Sequence, residues 1–416
     1  MLSAFSNLPD PRKSKGKQYP LQDILMGGLS LFLFKEGSRN QLNNDRADAN
    51  FNSHYQEIFD MKLPHQDTVS DVLCALPFEK LEQVKMDLIS SLFEQKWLRN
   101  SRLFDKYYLV SVDATGTHTF DRRHCEHCLT KTSKNGKTTF FHYVLEAKLV
   151  TSNGFAFSIA TEWIENPAGD YDKQDCERKA FERLAAKIKK QYPRLEICIL
   201  ADGLYPFENA FKICEQNSWK FIFVLQDGSL KTVQEELTLP RRLAPQVTCF
   251  NINKGWYIQN EYRYETGIEY HKKYTLNWVQ CVETRSKNEK REVSNFEFVT
   301  NFIPDNQNVA AIAHGGRLRW KIENEGFNTQ KRKGLELEHK YIRKSYNGMK
   351  NYYVLLQIAH MILQLIEKSK LITEILKKRS KETIKNLWTK LKSYMLTPKP
   401  IIIYVKQENI TIEASD

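Results

Sequence analysis

The sequence predicts an α/β protein: a mixed sheet with a β-rich insertion, preceded by a helical N-terminal domain and followed by a helical C-terminal region. Three observations predict it. Apolar residues recur at helical spacing up to about Trp97, the pattern shortens to buried strands at Tyr107, and helical spacing returns after Asn308. A length of 416 residues is more than one hydrophobic core usually organises, so several domains are expected.

In chain order, Ile24, Leu25, Gly28, Leu31 and Phe32 form one apolar stripe and Leu81, Val84, Leu88 and Leu92 a second. Between them the polar stretch Asn40 to His54 reads as a linker or a nucleic-acid-facing loop. Tyr107 to Val112 is a short apolar, β-branched and aromatic run that ends at Asp113. His142 to Val150 and Phe155 to Glu162 are two strands joined by Thr151-Ser152-Asn153-Gly154, where Asn-Gly favours a hairpin. Cys176 to Tyr192 is helical, Leu195 to Ala201 is a buried strand ending at Asp202, Phe207 to Gln216 is helical, and Trp219 to Leu225 is a strand. Alternating aromatic and polar segments follow, then Arg317 to Glu323 on a helix and an amphipathic helix from Lys350 to about Ile375. The tail is basic and then β-like. The expected segments are 1–104 (helical), 105–226 (first part of the core), 227–305 (β-rich insertion), 306–349 (the core helix with Glu323) and 350–416 (C-terminal helices).

Sixty-two Lys and Arg against fifty Asp and Glu leave a net charge of +12, which favours a polyanionic partner, nucleic acid first. The eight cysteines form no regular disulfide framework and read as reduced thiols. Met1-Leu2-Ser3-Ala4 does not begin a signal peptide, and the longest apolar stretches are short or interrupted by Gln357, His360 and Gln364. A cytoplasmic protein away from membranes is expected.

Asp113 and Asp202 each close a strand and Glu323 lies on a later helix, so three carboxylates from distant segments are set to converge at one sheet edge. Such oxygen ligands suit two Mg²⁺ or Mn²⁺ ions about 3.5–4 Å apart. Taken singly, an Asp after a strand is an ordinary turn residue. Glu325 competes with Glu323, but a two-residue offset turns a helical side chain about 200° away, so only one of them faces the metals.

The runs Val112-Asp113-Ala114-Thr115-Gly116, Leu200-Ala201-Asp202-Gly203-Leu204-Tyr205 and Arg319-Trp320-Lys321-Ile322-Glu323-Asn324 resemble the three acidic motifs of DDE transposases from bacterial insertion sequences, over residues 105 to 345. The resemblance is to the subgroup with a Tyr, Arg, Glu, Lys signature on the third helix and a β-rich insertion before it. It selects Glu323 as the third acidic residue and implies a ribonuclease H-like fold, which the order of strands and helices also suggests. Arg319 and Glu323 keep the signature spacing, whereas Gly316 stands at the Tyr position and Gln330 at the Lys position. The resemblance further implies excision and integration of the element's own DNA, with terminal inverted repeats read by the N-terminal domain and a homodimer holding two ends. Its location would be the bacterial cytoplasm, at the nucleoid. Two alternatives remain open at this point: a transposase-derived DNA-binding protein without catalysis, and a ribonuclease H-like nuclease without strand transfer.

Arg319, four residues before Glu323, suits a DNA phosphate beside the metals, with a solvated ion pair as the plain alternative. Trp320 and Ile322 fit a helix packed on a sheet, and Trp320 also counts as a DNA-contact candidate. Lys331, Arg332, Lys333, Lys340, Arg343 and Lys344, interleaved with aromatic residues, suit backbone phosphates and stacking bases. Cys125 and Cys128 have zinc-like spacing, with His124, His127 or His118 to complete a site, yet no second Cys-x-x-Cys follows. The plainer reading is a loop of reduced thiols and polar histidines.

Overall fold

Isoleucine, valine and aromatic residues clustered between Tyr108 and Phe302 assemble, in a computed structural model, into one mixed sheet. The structure describes residues 1–13, 17–166, 176–237, 246–379, 381–398, 402–406 and 409–413. The chain packs as two compact units, Met86–Thr329 on the one hand and Met1–Lys85 with Gln330–Asp416 on the other. The five linear segments therefore regroup, with both chain ends contributing to one unit.

That helical unit contains α1 (Leu2–Ser6), α2 (Leu21–Leu33), α3 (Arg39–Ala47), α4 (Ala49–Phe59), α5 (Gln66–Ala75) and the start of α6 (Phe78–Glu94). The stretch expected as a linker or loop is two helices. Ser38 caps the Gln41 N–H and Asp48 caps the Phe51 N–H, while Leu42, Phe51 and Tyr55 are fully buried. Scattered asparagines hid this pattern, because their weak helix propensity is overridden by caps and burial.

The sheet-bearing unit carries β1 (Tyr108–Phe120), β2 (Leu129–Thr132), β3 (Thr138–Val150), β4 (Ala156–Ile164), α7 (Glu177–Gln191), β5 (Ile197–Ala201), α8 (Glu208–Gln216), β6 (Lys220–Val224), α9 (Lys231–Leu237), β7 (Val247–Asn253), β8 (Trp256–Tyr270), β9 (Tyr274–Lys287), β10 (Lys290–Thr300) and α10 (Val309–Arg317). The strand order is β2-β3-β1-β5-β6-β10-β9-β8-β7, with β4 also on β3. Strand β1 is antiparallel to β3 and parallel to β5, and β5 is parallel to β6. The β-rich stretch after residue 227 does not stand apart from the core, because β10 pairs with β6 and β7 to β10 continue the same sheet as a meander. Strand β1 passes beyond Asp113 to Phe120, since β3 pairs with it from Val110 to Phe120, with an irregularity between Gly116 and His118.

After α10 the chain enters a π segment (Ile322–Phe327) and α11 (Asn328–Arg332). The helix expected over Lys350 to Ile375 is instead α12 (Tyr346–Glu367) and α13 (Lys370–Lys378). The break falls at Ser369, whose hydroxyl caps the Ile372 N–H on extended backbone. Helix α14 (Ile384–Met395) follows, and β11 (Ile402–Lys406) pairs antiparallel with β12 (Asn409–Glu413). Within the helical unit, α2, almost wholly apolar, lies against α12 and α5. A Cβ on Gly28 would stand 2.8 Å from Leu355, so these helices touch backbone to side chain. Among the described residues no helix is long and apolar enough to cross a membrane.

Candidate active site

Side chains alternate along a strand, so Leu109, Ser111 and Asp113 of β1 share one sheet face, and Cys198 and Leu200 of β5 share one with Asp202 just beyond it. Leu109, Cys198, Leu200 and Ile222 join Val309, Ile312 and Ala313 of α10 in one core, which identifies this face as the one α10 covers. Ser111 lies level with Leu200 in the parallel ladder, and two further residues of the same register set Asp113 level with Asp202. Two parallel strands thus deliver two carboxylates to one face, Asp202 just past the end of β5 and Asp113 midway along β1, just past the end of its pairing with β5. Asp202 anchors the turn that follows, its Oδ1 accepting the Leu204 N–H at 2.9 Å.

The segment after α10 brings the third carboxylate to the same face. Leu318 and Arg319 form a turn, and the helix then widens into the π segment, where the Asn328 N–H bonds the Glu323 carbonyl five residues back. Such a bulge re-aims side chains relative to a regular helix and recurs at functional sites. The expected regular helix with Arg319 and Glu323 on one face is replaced by this broken one. Arg319 is 94% buried and its guanidinium stands 3.7 Å from the Asp113 carboxylate, so it is no solvated ion pair with Glu323. Its carbonyl accepts the Ser111 hydroxyl at 3.2 Å, which ties the turn to β1. Ile322 is buried, as a helix packed on a sheet requires, whereas Trp320 is half exposed with the Arg319 guanidinium 4.3 Å over its ring. Glu325 is held by Lys321 at 3.1 Å.

Asp113 lies within the fields of both Asp202 and Glu323. Burial lifts the Asp113 carboxyl to about 6; the Ala114 N–H and Arg319 oppose the rise, and Asp202 and Glu323 reinforce it. A fourth carboxylate, Glu177 in the first turn of α7, belongs to the same group. It is raised to about 7 by burial, then by Asp113 and Asp202. Burial and the fields of Glu177, Asp113, Glu323 and Asp202 lift the Tyr143 hydroxyl on β3 to about 12, so it stays protonated near neutral pH. Nothing in the sequence marks Glu177 or Tyr143, since an acidic residue in a first helical turn and an aromatic residue in a strand are both commonplace.

Beneath the π segment the sheet face is polar. Glu146 pairs with Asp113 across the β1–β3 ladder, and Lys148 pairs with Ser111. Both are fully buried and stand 3.8 Å apart, with the Lys148 ammonium 5.4 Å over the Phe327 ring. A Cβ on Gly326 would come within 3.1 Å of Lys148, so the bulge approaches this lysine closely.

The two departures from the signature have local reasons. A Cβ on Gly316 would stand 2.7 Å from the Phe298 ring and 2.9 Å from Ile222, so α10 packs too tightly on the sheet there for a tyrosine. Gln330, fully buried in the helical unit, bonds Gln357 at 2.7 Å and His360 at 2.9 Å. The basic candidates lie in that unit, while Arg319 and Trp320 lie in the other. Arg332, Lys333 and Arg343 are exposed and Lys340 is half-buried; Lys331 is paired with Glu338, and exposed Lys344 with Asp71. Of the zinc candidates, Cys125 and Cys128 come together with His142. His124 instead stacks on Phe120 at 4.3 Å, and His127 lies 3.6 Å from Glu126.

Oxygen donors from Asp113, Asp202 and Glu323 suit Mg²⁺ or Mn²⁺, and the carboxylates facing Arg319 leave excess negative charge for cations to balance.

Residues 2–89 match the family model described as DDE_Tnp_1-associated, a match that ends before β1. No curated protein matches the chain. Among solved structures, a piggyBac transposase in a synaptic complex with hairpin DNA aligns at 9% identity over 95% of this chain and 82% of its own, with a TM-score of 0.40.

Proposed function

We propose that the chain is a DNA transposase of the DDE type, from a bacterial insertion sequence, that excises and integrates its element by phosphodiester hydrolysis and strand transfer. The observation that carries this reading is the gathering of Asp113, Asp202 and Glu323, from three distant elements, on one sheet face beside Arg319. The strand order β4-β3-β1-β5-β6, with β5 and β6 parallel to β1, supports a ribonuclease H-like core. The match of residues 2–89 supports the transposase association.

Asp113, Asp202 and Glu323 would hold two Mg²⁺ or Mn²⁺ ions. When bound, these supply Lewis-acid activation of the attacking oxygen and charge neutralisation at the leaving one. Arg319, held by Asp113 and by stacking on Trp320, presents positive charge where a DNA phosphate would enter. Water opens the phosphodiester at the element end, and the freed 3′-hydroxyl then attacks a target phosphodiester in line. Attack by water and then by the freed 3′-hydroxyl needs no covalent protein intermediate, and Tyr143, whose hydroxyl stays protonated near neutral pH, is placed beside the carboxylates as a hydrogen-bond donor.

The DNA would be duplex, the terminal inverted repeats and the target, contacted by Lys331, Arg332, Lys333, Lys340, Arg343 and Lys344. The N-terminal helices would read the repeats. A homodimer would hold two ends, and α13, which buries none of its side chains and leaves Leu371 67% exposed, supports a role for the C-terminal helices in it. The site of action is the bacterial cytoplasm, at the nucleoid.

The test is to incubate purified protein with Mg²⁺ and a plasmid carrying the gene's flanking ends, beside Asp113→Ala, Asp202→Ala and Glu323→Ala. Wild type cuts and joins the ends, and each variant binds them without cutting. Cutting without joined product points to a nuclease; binding without cutting in Mg²⁺ or Mn²⁺ removes the catalytic reading.

A further inference from the structure

Cys125 and Cys128 lie in the connection between β1 and β2, and their i, i+3 spacing closes a turn in which the Cys128 N–H bonds the Cys125 carbonyl at 3.3 Å. The third member of the cluster comes from strand pairing. Asn135-Gly136, with Gly136 at φ +77°, turns the chain between β2 and β3. The resulting register sets Leu129 against Phe141, so the next residue outward on each side is Cys128 against His142. His142 is in turn opposite His118 of β1, the strand that carries Asp113. Cys128 and His142 are almost completely buried and Cys125 is half-buried. The Asn166 amide donates to the Cys128 carbonyl at 3.1 Å and helps hold the loop against the sheet.

The dimensions of this triangle fit a tetrahedral zinc site. Tetrahedral zinc, with Zn–S of about 2.3 Å and Zn–N of about 2.0–2.1 Å, sets its sulfur atoms about 3.8 Å apart and sulfur to nitrogen about 3.6 Å apart. The observed edges are 3.7 Å from Cys125 Sγ to Cys128 Sγ, then 3.5 Å and 3.6 Å from these sulfurs to His142 Nε2. A disulfide would bring the sulfurs to about 2.0 Å, and both cysteines are free. Two thiolates and an imidazole are soft and borderline donors that take zinc in preference to Mg²⁺.

We propose that Cys125, Cys128 and His142 bind one zinc ion, with its fourth position open to solvent on the Cys125 side. On binding, each thiol loses its proton to solvent and the ion staples the β1–β2 connection to β3, fixing the end of the hairpin beyond Asp113. The site stands apart from the carboxylate group and does not depend on the transposase reading.

Zinc content of the purified full-length chain, measured by elemental analysis after gel filtration, tests this. About one zinc per chain is expected in wild type and in Asp113→Ala and the His124→Asn/His127→Asn double variant, falling below about one tenth in Cys125→Ser/Cys128→Ser. Because that last variant removes a buried thiol, a second measurement uses wild type alone. Alkylation mapped by mass spectrometry should spare Cys125 and Cys128 until a chelator is added, while the exposed Cys176 and Cys249 react throughout. Wild type that takes up no zinc, zinc retained in the double serine variant, zinc lost with His124 and His127, or a Cys125–Cys128 disulfide in the isolated protein would each overturn the assignment.

Discussion

Asp113 is held in the middle of its titration range by competing forces. Burial raises its carboxyl to about 6, the Ala114 N–H and Arg319 pull against that, and Asp202 and Glu323 push with it. The consequence for stability has a definite sign. A raised carboxyl favours the protonated folded state, so the contribution is present below the unfolded value of 3.8 and is lost as pH rises through about 6. Glu177, raised to about 7, behaves alike one unit higher. Divalent cations bind only the ionised forms, so the rise in Tm produced by Mn²⁺ should be small near pH 5 and large near pH 8, and absent in Asp113→Asn. Thermal scans with and without Mn²⁺ across that range check it. Glu177, raised to about 7, is largely protonated where Asp113 titrates, so Glu177→Gln should leave the acid limb of the cleavage profile in place and the metal requirement intact.

At the scale of elements, α10 and the π segment place the third carboxylate, and close packing sets their position. Gly316→Ala forces a methyl to within 2.7 Å of Phe298 and should cost about 1–3 kcal/mol in urea unfolding. Asp48→Ala removes the cap on the Phe51 N–H and should cost about 1 kcal/mol by the same measurement. Strands β1, β5 and β6 were legible because short apolar runs ending in a carboxylate or a turn have few other solutions. Helices α3 and α4 were not, because Ser38 and Asp48 caps and the buried Leu42, Phe51 and Tyr55 outweigh a polar, asparagine-rich composition. His142 was hidden for a different reason. Its place beside Cys128 depends on the register of the β2–β3 hairpin, which the turn Asn135-Gly136 sets and the spacing of cysteines alone does not reveal. The widening of the helix at Ile322 likewise left no mark in the spacing of Arg319 and Glu323, which is that of a regular helix.

At the scale of the whole molecule, the chain leaves the helical unit near Lys85, builds the sheet, and re-enters that unit at Gln330. Helical periodicity at each end was readable, but the joining of α2 and α5 with α12 is a contact across most of the sequence, which periodicity cannot encode. The net charge of +12 belongs to this scale too. If six to ten basic side chains meet phosphates, DNA affinity should fall about 10³–10⁵-fold between about 50 and 200 mM salt, as fluorescence anisotropy on the flanking ends would record.

The central claim, that Asp113 works as a metal ligand in cutting DNA, is tested most directly by changing the chemistry of that ligand. Asp113→Cys replaces a hard oxygen donor with a soft sulfur that Mn²⁺ tolerates better than Mg²⁺. Strand cleavage at the element end should fall at least about 100-fold in Mg²⁺ and recover substantially in Mn²⁺, whereas Asp113→Ala stays inactive in both. Cleavage by Asp113→Ala at the wild-type rate, or wild-type cleavage that persists in a chelator, would contradict the account.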